Sequence, residues 1–262
     1  MNAKLAGVKI LVTRPADQSA GLARLVRDAG GLPILFPALE IEPLAEAAGA
    51  PVLDQLPHFD LVVFISPNAV RMAMPHIQKK GGLPARAKVA VIGLGTVAEL
   101  KKFGVRDIIS PLEGFDSEAL IGELAAVPLA GSRVLIFRGQ GGREVLANAL
   151  RSRGATVEYL ECYRRVKPDR DLRELFSQPG RDEVKACIAT STSIVENLFE
   201  MAGEAGRAWL CAVPFFVPHP RVAVAAFYRG VRTVFVAGNG DEALVAAMQT
   251  WYARLRAHYV AS

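Results

Sequence analysis

Six short stretches of this chain concentrate hydrogen-bond donors. They are Thr13-Arg14, Ser66-Pro67-Asn68, Gly93-Leu94-Gly95-Thr96, Arg138-Gly139-Gln140-Gly141-Gly142-Arg143, Thr190-Ser191-Thr192-Ser193 and Pro218-His219-Pro220-Arg221. Each follows an apolar run with the composition of a buried strand and opens a helical pattern. Hydroxyls, amides, arginines and the free backbone N–H groups of helix N-termini suit a carboxylate or phosphate. No His–carboxylate–Ser set and no cluster with metal-ligand spacing accompanies them. A site of donors without a strong base points to binding and shaping an anionic ligand.

Each stretch also has a plainer reading. Gly93-Leu94-Gly95-Thr96-Val97-Ala98 fits the dinucleotide pattern G-x-G-x-x-A, but the next strand ends in Ser110-Pro111 without the acid that pattern needs. Arg138 to Arg143 lacks the Gly-Lys-Ser/Thr of a P-loop. Thr190 to Ser193 can be a helix cap. His219 is a lone histidine at a strand end. Tyr163 closes a long extended run, where an aromatic residue serves as a β-former.

The elements that would position these residues come in duplicate. Gly7-Val-Lys-Ile-Leu-Val-Thr-Arg14 matches Gly131-Ser-Arg-Val-Leu-Ile-Phe-Arg138 at an offset that also superposes Arg27 on Arg151 and Gly30 on Gly154. Ser66 falls on Ser191, Gly93 on Pro218 and Gly104 on Gly230 at nearly the same offset. The chain is two copies of one unit, a relation that decides the fold before any local reading does. Apolar runs predict strands at 8–13, 61–65, 88–92, 132–137, 184–189, 213–217 and 233–236. Helical patterns lie between them, the first capped by Asp17 and stopped at Gly30-Gly31. This alternation predicts an α/β fold of two similar doubly wound parallel-sheet domains.

Two extended runs, 32–42 and 155–166, occupy equivalent places and are longer than ordinary buried strands. If both cross between domains, they pair as a two-stranded β-ladder linker. The domains are then 1–36 with 168–262 and 44–158, with linker strands at 37–43 and 159–167. The rival is a simple split near residue 127.

Composition narrows the class. The chain has 262 residues, 51% of them apolar, enough for two cores. Its net charge is +5, with Lys and Arg scattered rather than clustered, so nucleic acid is not implied. A basic cleft for an acidic small molecule suits the charge. Cys162, Cys187 and Cys211 sit in apolar runs, which reads as buried free thiols in a reducing compartment. No signal peptide or transmembrane-length run is visible, so the expectation is a cytoplasmic protein.

The ordered set Val12-Thr-Arg-Pro15, Phe64-Ile-Ser-Pro-Asn-Ala-Val70, Val91-Ile-Gly-Leu-Gly-Thr96, Phe115-Asp-Ser-Glu-Ala-Leu120, Val134-Leu-Ile-Phe-Arg-Gly139, Val157-Glu-Tyr-Leu-Glu-Cys-Tyr163 and Thr190-Ser-Thr-Ser193 resembles the uroporphyrinogen-III synthase family over nearly the whole chain. The resemblance implies two α/β domains joined by a β-ladder, an active site in the cleft between them, and no metal or organic cofactor. It implies that hydroxymethylbilane, an octacarboxylate, is closed to uroporphyrinogen III with inversion of ring D and loss of water. It marks Tyr163 as candidate general acid and Thr96 as a second catalytic candidate. Thr13, Arg14, Ser66, Asn68, Gly93, Gly95, Arg138, Gly139, Gln140, Thr190, Ser191, Ser193, His219 and Arg221 are the candidate substrate contacts. At 218–221 relatives often carry Gly and Thr, which puts any hydroxyl role there in doubt for this chain. A monomer receiving its substrate from hydroxymethylbilane synthase, with no nucleic acid or membrane partner, completes the expectation. The rival readings are a two-lobed small-anion binder or sensor without turnover and a nucleotide-dependent oxidoreductase.

Overall fold

The computed structural model describes residues 4–48, 50–176 and 183–260. Those parts of the sequence-drawn domain ranges that fall on residues 1–3, 49, 177–182 and 261–262 lie outside the described residues. In chain order the strands are β1 Lys9–Val12, β2 Leu32–Leu35, β3 Glu40–Pro43, β4 Leu61–Phe64, β5 Lys88–Val91, β6 Ile108–Ile109, β7 Arg133–Gly139, β8 Thr156–Val166, β9 Val184–Ile188, β10 Phe215–Val217 and β11 Val234–Val236. The helices are α1 Ala20–Asp28, α2 Ala45–Ala48, α3 Pro67–Lys79, α4 Leu94–Lys102, α5 Ser117–Glu123, α6 Val145–Ser152, α7 Arg173–Phe176, α8 Thr192–Ala212, α9 Pro220–Arg229 and α10 Asp241–Val260.

The chain divides into two compact units, one made of its two ends, up to Glu40 and from Val166, the other of residues 41–165. The first holds a five-stranded sheet in the order β11-β10-β9-β1-β2, parallel throughout. Buried Leu22 and Val26 of α1 and Leu244, Val245 and Met248 of α10 pack on Ile10, Val12, Ile188 and Phe216. The second unit holds a six-stranded sheet, β3-β8-β7-β4-β5-β6, in which β8, β7, β4, β5 and β6 run parallel. One face packs Phe64, Phe137 and Tyr163 against α3 and Leu100 of α4, with Phe64 and Phe137 stacked at 4.6 Å. The other packs Val63, Val134 and Ile136 against Leu120, Leu146 and Leu150 of α5 and α6. Strands covered on both faces explain why their sequences are unbroken apolar runs rather than alternating ones.

The run at 32–42 is not one strand. It stops after Leu35, turns through buried Phe36 and Ala38, and resumes at Glu40, so that its first half joins the five-stranded sheet and its second half the six-stranded one. Phe36 and Ala38 donate their N–H groups to Val12 and Thr13, which holds the turn against β1. The run at 155–166 is β8. From Thr156 to Tyr163 it pairs with β7, and β3 lies along its other edge, so both strands belong to a sheet rather than standing apart from it. Asp17, expected to cap the first helix, sits instead in a 3-10 turn; α1 begins at Ala20, and Ser19 donates its hydroxyl to the Pro15 carbonyl.

Candidate functional site

In both units the donor-rich stretches follow the carboxyl ends of parallel strands. The order of each sheet reverses at one crevice, between β1 and β9 in the first and between β7 and β4 in the second. Ligands of open parallel sheets bind at such switch points. The crevice of the second unit is flanked by Gly139-Gln140 and Ser66, that of the first by Thr13-Arg14 and Thr190-Ser191.

In the second unit Ser66 is the N-cap of α3; its Oγ accepts from the Ala69 N–H at 3.2 Å. The Tyr163 hydroxyl lies 2.9 Å from the same Oγ and accepts from Arg165 Nη2 at 3.3 Å. Tyr163 is fully buried. Its carbonyl accepts the Gln140 N–H at 2.7 Å, and a methyl group at Gly139 would meet its ring carbons at 2.6 Å. Gly139 is therefore needed for room, not for backbone freedom. The register of β8 against β7 slips between Arg138 and Gly139, where Glu161 and Tyr163 are the successive partners. This bulge puts Cys162 and Tyr163 on the same face, in one core with Leu160. Plain alternation would have sent Tyr163 to the face that carries Tyr159. Bulges beside functional sites commonly re-aim a side chain in this way.

Gly93 caps α4 without a side chain; the Thr96 N–H turns back to the Gly93 carbonyl at 2.9 Å, which leaves the N–H groups of Leu94 and Gly95 open, and a methyl group at Gly95 would only touch Pro67 at 3.5 Å. Thr96 is 2% exposed, and its hydroxyl has no hydrogen-bond partner among the described residues. Asn68 Oδ1 accepts from Arg71, which also reaches Glu99 at 3.6 Å. Arg138 donates to Glu144 at 2.8 Å and to Glu161 at 3.3 Å, and lies 3.8 Å over the Tyr159 ring. The Tyr159 hydroxyl donates to Glu144 at 2.5 Å. Together with Arg138, that hydrogen bond holds the Glu144 carboxyl below its ordinary range. Burial, reinforced by Glu144, pushes the Tyr159 phenol up. Burial opposes charge on Arg138, but the bonds to Glu144 and Glu161 outweigh it, and its pKa rises. A crevice of about 200 Å³ opens here, with Arg138 and Arg143 on its lining. Arg143 is itself paired with Glu118 at 3.0 Å. Both arginines are matched by carboxylates of the chain, which weakens the reading of Arg138 as a receptor for substrate carboxylate.

The first unit uses several of its candidates to hold itself together. The Thr13 hydroxyl, fully buried, donates to the Ile188 carbonyl at 2.6 Å and ties β1 to β9. Arg14 pairs with Asp241 at 2.5 Å. Ser191 caps α8 through the Ile194 N–H at 3.2 Å, as its duplicate Ser66 caps α3. Thr190 and Ser193 flank it, half-buried. His219 caps α9, its Nδ1 accepting the Arg221 N–H at 3.1 Å, while the Arg221 side chain is exposed. Among the described residues no group of acids, histidines and cysteines could hold a metal ion, and no helix is long and apolar enough to cross a membrane.

A family model described as "Uroporphyrinogen-III synthase HemD" matches residues 20–246. The chain belongs to the uroporphyrinogen-III synthase family. Among curated relatives, the Salmonella typhimurium uroporphyrinogen-III synthase is 32% identical over 92% of this chain and 100% of its own length. The Escherichia coli protein of the same name is 31% identical over the same shares. Among solved structures, a mutant uroporphyrinogen III synthase from Thermus thermophilus superposes with a TM-score of 0.63 at 22% identity, covering 95% of this chain and 99% of that one. The Helicobacter pylori uroporphyrinogen-III synthetase gives 0.57 at 14% identity over 93% and 99%. At such identities the structures speak to the two-domain α/β fold alone. The family match does not favour the rival reading of an anion binder without turnover.

Sequence reasoning missed Arg165, which follows Tyr163 by two residues along β8 and so returns to its face. It also missed Tyr159, Glu144 and Glu161, whose clustering needs the β7–β8 register to be seen.

Proposed function

We propose that this chain is a lyase that closes hydroxymethylbilane to uroporphyrinogen III, inverting ring D and releasing water. It does so as a cytoplasmic monomer without metal or organic cofactor. The observation that carries the reading, beside family membership, is the hydroxyl pair Ser66–Tyr163 at 2.9 Å, at the carboxyl edge of the six-stranded sheet. Departure of the terminal hydroxyl needs a proton donor and leaves an azafulvene. Ring D then attacks through its substituted carbon, and the resulting spiro intermediate fragments and recloses. Unassisted closure gives the uninverted isomer I, so the protein's main task is to hold one curled geometry, an orientation effect. Open N–H groups at the start of α4 and the Thr96 hydroxyl, unpartnered among the described residues, are donors suited to the carboxylates of such a substrate. The charge-matched Arg138 stiffens the carboxyl end of β7 in the same unit.

The test is incubation with hydroxymethylbilane and no additive, followed by separation of the product isomers. Isomer III in excess of the isomer I formed without protein is the expected result. Isomer I at the uncatalysed rate would refute the reading.

A further inference from the structure

Tyr163 is the residue to which the family resemblance points, yet its side chain has no exposure. Among the described residues its hydroxyl has two hydrogen-bond neighbours, Arg165 Nη2 at 3.3 Å and Ser66 Oγ at 2.9 Å. A guanidinium can only donate, so the phenol oxygen accepts from Arg165. Its own proton then has Ser66 Oγ as the acceptor within reach. Ser66 Oγ also accepts from the Ala69 N–H at 3.2 Å, which fills both of its lone pairs. The remaining direction at Ser66 belongs to its own O–H. Ser66 is half-buried at the carboxyl end of β4, whereas Tyr163 is sealed behind it.

We propose that Ser66 is the catalytic residue that presents the proton to the departing hydroxyl, with Tyr163 as the proton source behind it and Arg165 as the residue that holds Tyr163 through the transfer. The proposal rests on the reading given under Proposed function and deepens it. The steps balance. The Ser66 proton moves to the hydroxymethyl oxygen, the C–O bond breaks and its electron pair leaves with water. The lone pair of the adjacent pyrrole nitrogen closes the exocyclic double bond of the protonated azafulvene. In the same event the Tyr163 proton moves to Ser66 Oγ, leaving a phenolate that faces the Arg165 guanidinium. When the macrocycle finally closes, the free α-carbon of ring D sheds a proton, which returns through Ser66 to Tyr163. No proton is gained or lost over the cycle apart from those in the released water. Arg165 and Tyr163 act through Ser66 and are positioning residues in this scheme.

The experiment compares two substitutions on two substrates. Ser66→Asn keeps a good cap for α3 and fills the space without a hydroxyl, and Ser66→Thr keeps both cap and hydroxyl. The substrates are hydroxymethylbilane and its aminomethyl analogue, whose ammonium group leaves as ammonia and needs no proton delivered. On hydroxymethylbilane, Ser66→Asn is expected to lose about 100-fold or more in kcat with KM little changed, and Ser66→Thr to stay within about tenfold of the parent. On the aminomethyl analogue, Ser66→Asn is expected to match the parent. Where the Asn variant melts at a lower temperature than the parent, Ser66→Gly, a tolerated cap, takes its place. Equal losses on both substrates, or an unchanged kcat on hydroxymethylbilane, would overturn the proposal. An unsubstituted protein that makes no isomer III would instead overturn the functional reading, and this inference with it.

Discussion

At the scale of single residues, the tightest constraint is steric. The Tyr163 ring lies against Gly139 so closely that one added methyl group would overlap it at 2.6 Å. Gly139→Ala is therefore expected to push Tyr163 off Ser66, lowering kcat and destabilising the fold by about 1–3 kcal/mol, the usual cost of overpacking. Urea titration and isomer analysis of one preparation check both effects. A variant with parental stability and activity would show that the backbone at Gly139 can give way. The Arg138–Glu144–Tyr159 cluster makes a different prediction. Glu144 has its carboxyl lowered by the Tyr159 hydroxyl and Arg138. A carboxylate with a lowered folded-state pKa contributes stability that is fully present above its unfolded pKa, about 4.3. That contribution fades as pH falls through the lower folded value. The Tm difference between the parent and Glu144→Gln should thus be steady near neutrality and shrink on acidification toward pH 3. A difference that grows toward acid would contradict the assignment.

Legibility in the sequence changes at the scale of elements. Ser66 as the start of a helix was readable, because Ser-Pro-Asn after an apolar run carries its own cap and first-turn proline, and Ser66 does cap α3. Two capping residue types, Asp116 and Ser117, stand side by side ahead of α5, and it is Asp116 that accepts the Ala119 N–H at 2.8 Å. Asp17 misled because a capping residue type does not say whether the next turn is an α- or a 3-10 turn, and the chain chose the latter before Ala20. The bulge in β8 was invisible, since Glu161-Cys162-Tyr163 contains no glycine and nothing in it breaks alternation; only pairing against β7 reveals the slip. That slip decides which face Tyr163 occupies, so the side chain that the resemblance singled out is aimed by tertiary structure. The cap of α5 gives a clean element-scale prediction. Asp116→Ala should destabilise by about 1 kcal/mol, and Asp116→Ser should restore most of it. Denaturant midpoints at unchanged m-value are the measurement, and an Ala variant as stable as the parent would remove Asp116 from the account of α5.

At the scale of the molecule, the duplication and the units do not coincide. Strands β1 and β2 of the first copy share a sheet with β9, β10 and β11 of the second, while β7 and β8 of the second copy share one with β4, β5 and β6 of the first. The two copies have exchanged halves, and each sheet is whole only when both contribute. The sequence showed the repeat through matched residues such as Arg14 and Arg138. It left open where the chain divides, because a repeat boundary marks descent and not contact. The exchange predicts how the chain can be cut. Residues 39–167 contain β3 to β8 and helices α2 to α6, hence every strand of the six-stranded sheet and the helices packed on both its faces. Expressed alone, this fragment should unfold cooperatively in urea, with an m-value of about 1–3 kcal/mol/M. A fragment of residues 1–127, cut at the repeat boundary, should not. It would strand β1 and β2 without β9, and β4 without β7, exposing Phe64, Val62 and Val63, which are fully buried in the whole chain. Far-UV circular dichroism and amide dispersion in NMR separate the two outcomes. A cooperative 1–127 fragment beside an unfolded 39–167 would mean that each copy closes its own sheet, and that the exchanged halves do not govern folding.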